Sequence, residues 1–203
     1  MDDKIIDVLK IFGCLSKFEI QGLVDTTVNK PSKAFISSFN YLLKNHIIIK
    51  NNDNTFSINT YSNFPVANKH TIALRNFARI AIIYRYNNLH ITDYYLDESK
   101  PLLSMLLVHN SGFANLIYIP YTNVLPFIDT VKLKVTLSNI TSDEPIILLL
   151  DTKEQFFPIY EIIEKYSLQK GLGVIYIKDD CNDVKYQFPK QRYIYKDGEL
   201  NEV

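Results

Sequence analysis

The sequence of 203 residues is poor in cysteine and has no excess of either charge. Its two cysteines, Cys14 and Cys181, lie far apart, and neither belongs to a CxxC or Cys/His spacing. The sequence therefore predicts no zinc site, and free thiols of this kind suit a cytoplasmic protein. The balance of 22 basic and 22 acidic residues argues against binding to nucleic acid chiefly through bulk charge.

Other absences narrow the function further. No apolar run reaches the roughly 18 residues of a membrane span, and the acidic start Met1-Asp2-Asp3-Lys4 differs from a signal peptide, so we expect no membrane association. The chain has no glycine-rich phosphate loop and no nucleophile elbow, and its four histidines stand apart from one another. The sequence therefore predicts neither a cofactor nor a metal site.

The length and the 47% hydrophobic content predict a globular α+β protein of two small domains. We expect an N-terminal domain over residues 1–60, a linker over 61–70 that is rich in Asn, Ser and Pro, and a C-terminal α/β sandwich over 71–203.

Residues 1–60 have the pattern of a winged helix-turn-helix. Amphipathic segments predict three helices and then a two-stranded hairpin: Lys4–Phe12, Lys17–Val24, Lys33–Asn45, Ile47–Lys50 and Thr55–Ile58. This order of elements is used mainly to place one helix in the DNA major groove. The sequence therefore favours a double-stranded DNA-binding protein.

The third predicted helix carries the candidate DNA-reading face. Ser32 is its expected N-cap, since its hydroxyl can accept from a free amide of the first turn. Apolar residues at helical spacing predict a buried stripe of Phe35, Ile36, Phe39, Leu42 and Leu43. The opposite face holds Lys33, Ser37, Asn40 and Lys44, flanked by Tyr41. Lysine suits phosphates and asparagine can pair with an adenine edge, although any solvated helix also has a polar outer face.

The predicted hairpin is the wing. Its strands are β-branched and aromatic, and its Asn/Asp tip tolerates positive φ. Lys50, Asn52 and Asn54 are candidate contacts to DNA phosphates, and an ordinary polar hairpin is the alternative.

The remainder alternates strands and helices. Thr71–Tyr86 is a predicted helix whose Arg75 and Arg79 could clamp a phosphate, face solvent, or pair with acidic residues of the C-terminal half. The predicted strands are Leu102–His109, Phe113–Tyr121, Ile146–Leu150, Val174–Lys178 and an edge strand over Tyr186–Tyr195, and the predicted helices are Asn123–Leu137 and Glu154–Tyr166. Strand, helix, strand at this spacing indicates a parallel crossover.

One triplet in this half suggests catalysis. Asp151-Thr152-Lys153 follows an apolar strand and resembles half of a restriction-nuclease metal site, with Asp129, Asp143 and Glu144 as candidate partners. A strand that ends in Asp before a polar loop is also common, and Asp151 lies at the strand end. We therefore expect no catalytic residues and no enzymatic activity.

Four stretches, Lys33–Ile49, Phe113–Tyr121, Pro145–Asp151 and Gly171–Ile177, together resemble the replication-relaxation family of plasmids and conjugative elements in Gram-positive bacteria. The first contains Leu42-Leu43-Lys44-Asn45 leading into the hairpin. The resemblance implies a winged helix followed by a catalytically silent nuclease-like domain. It also implies a DNA-binding accessory or regulatory protein serving transcription, plasmid maintenance or conjugation.

A nearly neutral winged helix needs avidity, so we expect a homodimer built partly from residues 71–203. The alternative is a protein–protein interaction module, in which the winged helix and the α/β domain bind protein partners such as other proteins of the same complex. The 14 tyrosines suit that alternative, because tyrosine is enriched at interfaces.

Overall fold

The computed structural model confirms a mixed α+β fold and describes residues 1–25, 30–61, 69–86, 89–99, 101–120, 126–140, 146–155, 159–162, 173–176, 191–196 and 199–202. The chain forms two compact units, Met1–His90 and Ile91–Val203. Each unit has its own sheet.

The first unit combines helices with a small antiparallel sheet. Its helices are α1 (Asp2–Phe12), α2 (Lys17–Val24), α3 (Lys33–Lys44) and α4 (Lys69–Tyr86). Its strands are β1 (Leu15–Ser16), β2 (Ile48–Lys50) and β3 (Thr55–Ile58), in the order β1-β3-β2. The predicted helices and hairpin are confirmed to within two residues at each end. The two-residue strand β1 was not anticipated; it pairs Leu15 with Phe56.

Serine caps set the starts of α2 and α3. Ser16 and Glu19 form a capping box, in which the Ser16 hydroxyl accepts from the Glu19 amide and the Glu19 carboxylate accepts from the Ser16 amide. The Ser32 hydroxyl accepts from the Phe35 amide at 3.1 Å, as the sequence predicts. Both helices therefore begin where a local polar side chain satisfies a free amide.

The helix α4 belongs to the first unit, where it packs against α1 and α2. This differs from the predicted limits of 1–60 and 71–203; of the predicted linker, residues 62–68 lie outside the described residues. A Cβ built on Gly22 of α2 would lie 3.0 Å from the side chain of Ile82. The absence of a side chain at Gly22 therefore lets α2 and α4 approach closely.

A buried ion cluster joins the same two helices. The carboxylate of Glu19 has no exposed surface, and it accepts from Arg79 Nε at 3.1 Å and from Arg75 Nη2 at 3.3 Å. Arg75 and Arg79 are therefore largely buried and do not form an open clamp for a phosphate. They bind an acidic side chain of the first unit, 56 and 60 residues earlier in the chain.

The second unit is built on a seven-stranded mixed sheet of order β10-β9-β8-β7-β6-β5-β4. The strands are β4 (Ile91–Asp97), β5 (Ser104–His109), β6 (Gly112–Ile119), β7 (Ile146–Leu150), β8 (Gly173–Tyr176), β9 (Gln191–Lys196) and β10 (Glu199–Glu202). The three central strands β6, β7 and β8 run parallel, which confirms the predicted crossover, and the outer pairings are antiparallel.

Helices cover one face of this sheet. The helix α5 (Pro126–Ser138) connects β6 to β7, and its Leu133 and Leu137 share a core with Ile117 and Leu148. Residues 159–162 are also helical and join the same core. All five residues of β7 are buried, as expected for a central parallel strand.

Two features of this sheet differ from prediction. Neither β4 nor β10 was anticipated, and both are outer strands of the sheet. The strand predicted at the edge over Tyr186–Tyr195 is β9, which lies between β8 and β10 and begins at Gln191. Pro189 and the rest of that prediction lie outside the described residues. Among the described residues, no helix has the length and apolar character needed to cross a bilayer.

Replacing Glu19 by glutamine tests the buried cluster. Glu19→Gln leaves two buried guanidinium groups without their carboxylate, so we expect the free energy of unfolding to fall by about 3–5 kcal/mol. The matched control is Asp7→Asn, which removes an exposed carboxylate 3.7 Å from Lys10 and should leave stability nearly unchanged. Urea unfolding followed by far-UV circular dichroism measures both. Equal midpoints for the two variants would contradict the structural role of Glu19.

Candidate nucleic-acid interface

The polar face of α3 is open to solvent along its whole length. All five side chains predicted to contact DNA from this helix are exposed: Lys33, Ser37, Asn40, Tyr41 and Lys44. Tyr41 has 55% of its surface exposed. The helix ends at Asn45, whose side-chain amide donates to the Tyr41 carbonyl at 2.8 Å. The arrangement leaves amide, hydroxyl and ammonium groups on one helix face, which are the groups that contact DNA bases and phosphates.

The buried stripe of α3 is narrower than predicted. Phe35, Phe39 and Leu42 are buried, and the Phe39 ring packs edge-on against Phe56 of β3, with centroids 4.9 Å apart. Ile36 was predicted to belong to this stripe, but it is 38% exposed. Helical spacing alone predicted that Ile36 lies near the core. The large side chains of Phe35, Phe39 and Leu42 already form the contact between α3 and the rest of the unit. An isoleucine therefore lies beside the polar face.

The start of α3 is held by the residue that follows α2. Asp25, directly after α2, accepts from the Ser32 backbone amide through Oδ2 at 2.7 Å. Arg85 of α4 in turn donates to the carbonyls of Gly22 and Asp25, at 2.9 and 3.3 Å. Sequence reasoning missed this connection, because nothing local marks a pair of residues 60 positions apart. The contacts link α4, the end of α2 and the first turn of α3.

The hairpin tip is a tight turn with a left-handed residue. The Asn54 amide donates to the Asn51 carbonyl and the Asn51 amide donates to the Thr55 carbonyl. Asn54 has φ of 62°, a conformation that asparagine tolerates well, as predicted for this Asn/Asp run. The Asp53 carboxylate accepts from both the amide and the hydroxyl of Thr55. Lys50, Asn52 and Asn54, the candidate phosphate contacts, are all exposed.

A polar network lies beneath the tip. The Asn51 side-chain amide donates to Thr55 Oγ1 at 3.0 Å and to Cys14 Sγ at 3.7 Å. Burial, followed by the nearby Asp53 carboxylate, raises the pKa of the Cys14 thiol, so it stays protonated at neutral pH. Cys14 is therefore a buried structural thiol that anchors the base of the hairpin. Cys181 lies outside the described residues.

The charge that residues 15–61 expose to solvent differs from the formal charge of the same residues. Residues 15–61 contain five lysines, and all five are exposed: Lys17, Lys30, Lys33, Lys44 and Lys50. Of the three carboxylates in the same stretch, Glu19 and Asp25 are buried and only Asp53 is exposed. The ammonium group of Lys17 lies 4.8 Å from the centre of the Phe39 ring, beside α3. A stretch with a formal charge of only +2 thus exposes five lysines and one carboxylate.

The nuclease-like triplet has a different environment. The Asp151 carboxylate accepts from the Tyr118 hydroxyl at 2.9 Å, and the backbone amides of Asp151 and Thr152 donate to the Gln155 side chain. Gln155 also donates to the Ile119 carbonyl, which ties the end of β7 to β6. These contacts give Asp151 a structural role at the strand end.

The proposed metal partners of Asp151 are not brought together in the part of the chain that is described. Within that part, no group of three or more His, Cys, Asp or Glu side chains is placed to hold a metal ion. Asp143 and Glu144 lie outside the described residues, as do the side chains of Asp129 and Lys153.

No protein-family model matches the chain, and no curated protein matches it in sequence. Its function is therefore inferred from the chemistry and geometry of its own residues.

A pair of serines tests how α3 is built. Ser32→Ala removes the N-cap hydroxyl, so we expect the free energy of unfolding to fall by about 1 kcal/mol. Ser37→Ala is the matched control, because Ser37 is exposed on the same helix and alanine favours helix slightly more than serine. Chemical unfolding should therefore show a lower midpoint for Ser32→Ala alone. A loss of stability in Ser37→Ala as large as that in Ser32→Ala would contradict the assigned cap.

Proposed function

We propose that residues 1–61 form a winged helix that binds double-stranded DNA, with α3 in the major groove and the β2–β3 hairpin against the backbone. The observation that carries the proposal is the exposed charge of residues 15–61, five lysines against one carboxylate. Because Glu19 and Asp25 are buried, the exposed side chains of residues 15–61 carry more positive charge than the formal +2 of this stretch. Phosphate neutralisation by lysine is the main source of affinity for DNA.

The residues of this surface have separate proposed roles. Lys33 and Lys44, at the two ends of α3, neutralise phosphates on either side of the groove. Ser37, Asn40 and Tyr41 lie between them and contact base edges. Lys50, Asn52 and Asn54 hold the backbone from the hairpin. The protein then acts as an accessory or regulatory DNA-binding protein.

For the second unit we propose self-association without catalysis. The Asp151 carboxylate, which the sequence pattern made a candidate catalytic group, accepts a hydrogen bond from the Tyr118 hydroxyl. A homodimer would double the lysine contacts to DNA without adding any to a single chain.

A specific observation favours a second candidate function, the binding of a protein partner by the second unit. Tyr95 of β4 and Phe113 of β6 are 54% and 41% exposed. They lie on the same sheet face as the partly buried Leu106 and Val108 of β5, by the strand register. Exposed aromatic residues of this kind are enriched at protein interfaces. Two results together would favour this function. The chain would bind no DNA, and it would capture a protein stably in a way that depends on Phe113.

Two substitutions on α3 test the DNA-binding proposal. Asn40→Ala should weaken binding to the preferred site by about 1–3 kcal/mol and have little effect on unrelated DNA. Lys44→Ala should weaken binding to all DNA alike and reduce the salt dependence by about one phosphate contact. Fluorescence anisotropy with labelled duplexes over a salt series measures both.

Lys132→Ala is the matched control for these variants. Lys132 is an exposed lysine on α5 of the second unit, so its loss should leave both affinity and salt slope unchanged. Failure of the unaltered protein to bind pooled DNA fragments at low salt would remove the proposal. An equal effect of Lys132→Ala and Lys44→Ala would remove the role assigned to α3.

The dimer is tested separately. Light scattering of the full chain at micromolar concentration should give twice the monomer mass of 23.6 kDa. A monomer under these conditions would contradict the avidity that the dimer is proposed to supply.

A further inference from the structure

The first unit has no arginine available for reading guanine. Bidentate contact of arginine or lysine with guanine is the commonest specific contact in protein–DNA complexes. Residues 1–61 contain no arginine. Of the arginines in α4, Arg75 and Arg79 bind Glu19, and Arg85 binds the carbonyls of Gly22 and Asp25. On the proposed DNA surface, bidentate contact with guanine is therefore left to lysine alone.

The chemistry that α3 does present suits A·T pairs. Asn40 carries an exposed carboxamide, which can pair with N6 and N7 of adenine. Ile36 is exposed although it is large and apolar, and apolar side chains contact the C5 methyl group of thymine. Ile36 and Asn40 are four residues apart on one helix and are therefore surface neighbours. Neighbouring side chains of these two types fit adjacent positions of an A·T step.

We propose that α3 selects DNA sites rich in A·T pairs, with Asn40 bound to an adenine edge and Ile36 packed on a thymine methyl group. The inference rests on the proposed DNA binding and adds its substrate class and a specificity-determining residue, Ile36. The main competing chemistry is Lys33, because residues in the first turn of a recognition helix contact bases and lysine can bind guanine. That competition can be tested directly.

The experiment begins by selecting bound duplexes from a random pool with the full-length protein. Selected sites should share a core of A·T pairs. Each thymine of that core is then replaced by deoxyuridine, which removes only the C5 methyl group, and affinity is measured by fluorescence anisotropy. One replacement should weaken binding about fourfold, the factor expected for the loss of one buried methyl group.

Ile36→Ala identifies the side chain that contacts the methyl group. Because this variant has already lost the contact, the sensitive thymine should become insensitive to replacement by deoxyuridine. Ile36 is exposed, so the variant should keep its fold, which circular dichroism checks. The matched control is Val131→Ala, which truncates an exposed apolar residue of α5 and should retain the fourfold effect.

The outcomes separate this inference from the proposed function. Selection of sites with a fixed guanine that is lost in Lys33→Ala would overturn A·T selection while leaving DNA binding intact. Equal sensitivity to deoxyuridine in the unaltered protein and in Ile36→Ala would overturn the role of Ile36. Recovery of no bound DNA would overturn the proposed function and the inference together.

Discussion

The first unit depends on the burial of one carboxylate, that of Glu19, between two guanidinium groups. Removing these charges from water is costly, and the attraction between them offsets that cost only when the remaining hydrogen bonds are also made. The two oxygens of Glu19 make these bonds, since they accept from Arg75, Arg79 and the Ser16 amide. The same carboxylate thus starts α2 through the capping box and fixes α2 to α4. The absence of a side chain at Gly22 lets the same two helices approach closely.

The position of α3 follows from this packing. With α2 held against α4, Arg85 reaches the carbonyls at the end of α2, and Asp25 reaches the first amide before α3. The surface charge follows as well. Glu19 and Asp25 are buried in internal contacts, so the exposed charges of residues 15–61 are lysines, apart from Asp53. One internal arrangement therefore both orients the helix and leaves a positive surface around it.

The sequence predicted the features that depend on nearby residues. The Ser32 cap, the hairpin with its left-handed tip at Asn54 and the buried strand β7 all follow from local patterns. It did not place α4, because the contacts of Arg75 and Arg79 with Glu19 join residues 56 and 60 positions apart. Apolar spacing gave the direction of the buried stripe on α3 but not its width, so Ile36 was misplaced. The net charge did not reveal the five exposed lysines of residues 15–61, because a count of residues does not distinguish buried carboxylates from exposed ones.

The exposed face of α3 is the central element of the proposed function, and nuclear magnetic resonance tests it directly. Backbone amide shifts of the isotope-labelled full chain would be followed while a selected duplex is added. If DNA contacts α3 and the β2–β3 hairpin, the amide shifts should change most at Lys33–Lys44 and Lys50–Thr55. Changes confined to Ile91–Val203, or no changes at saturating DNA, would contradict it.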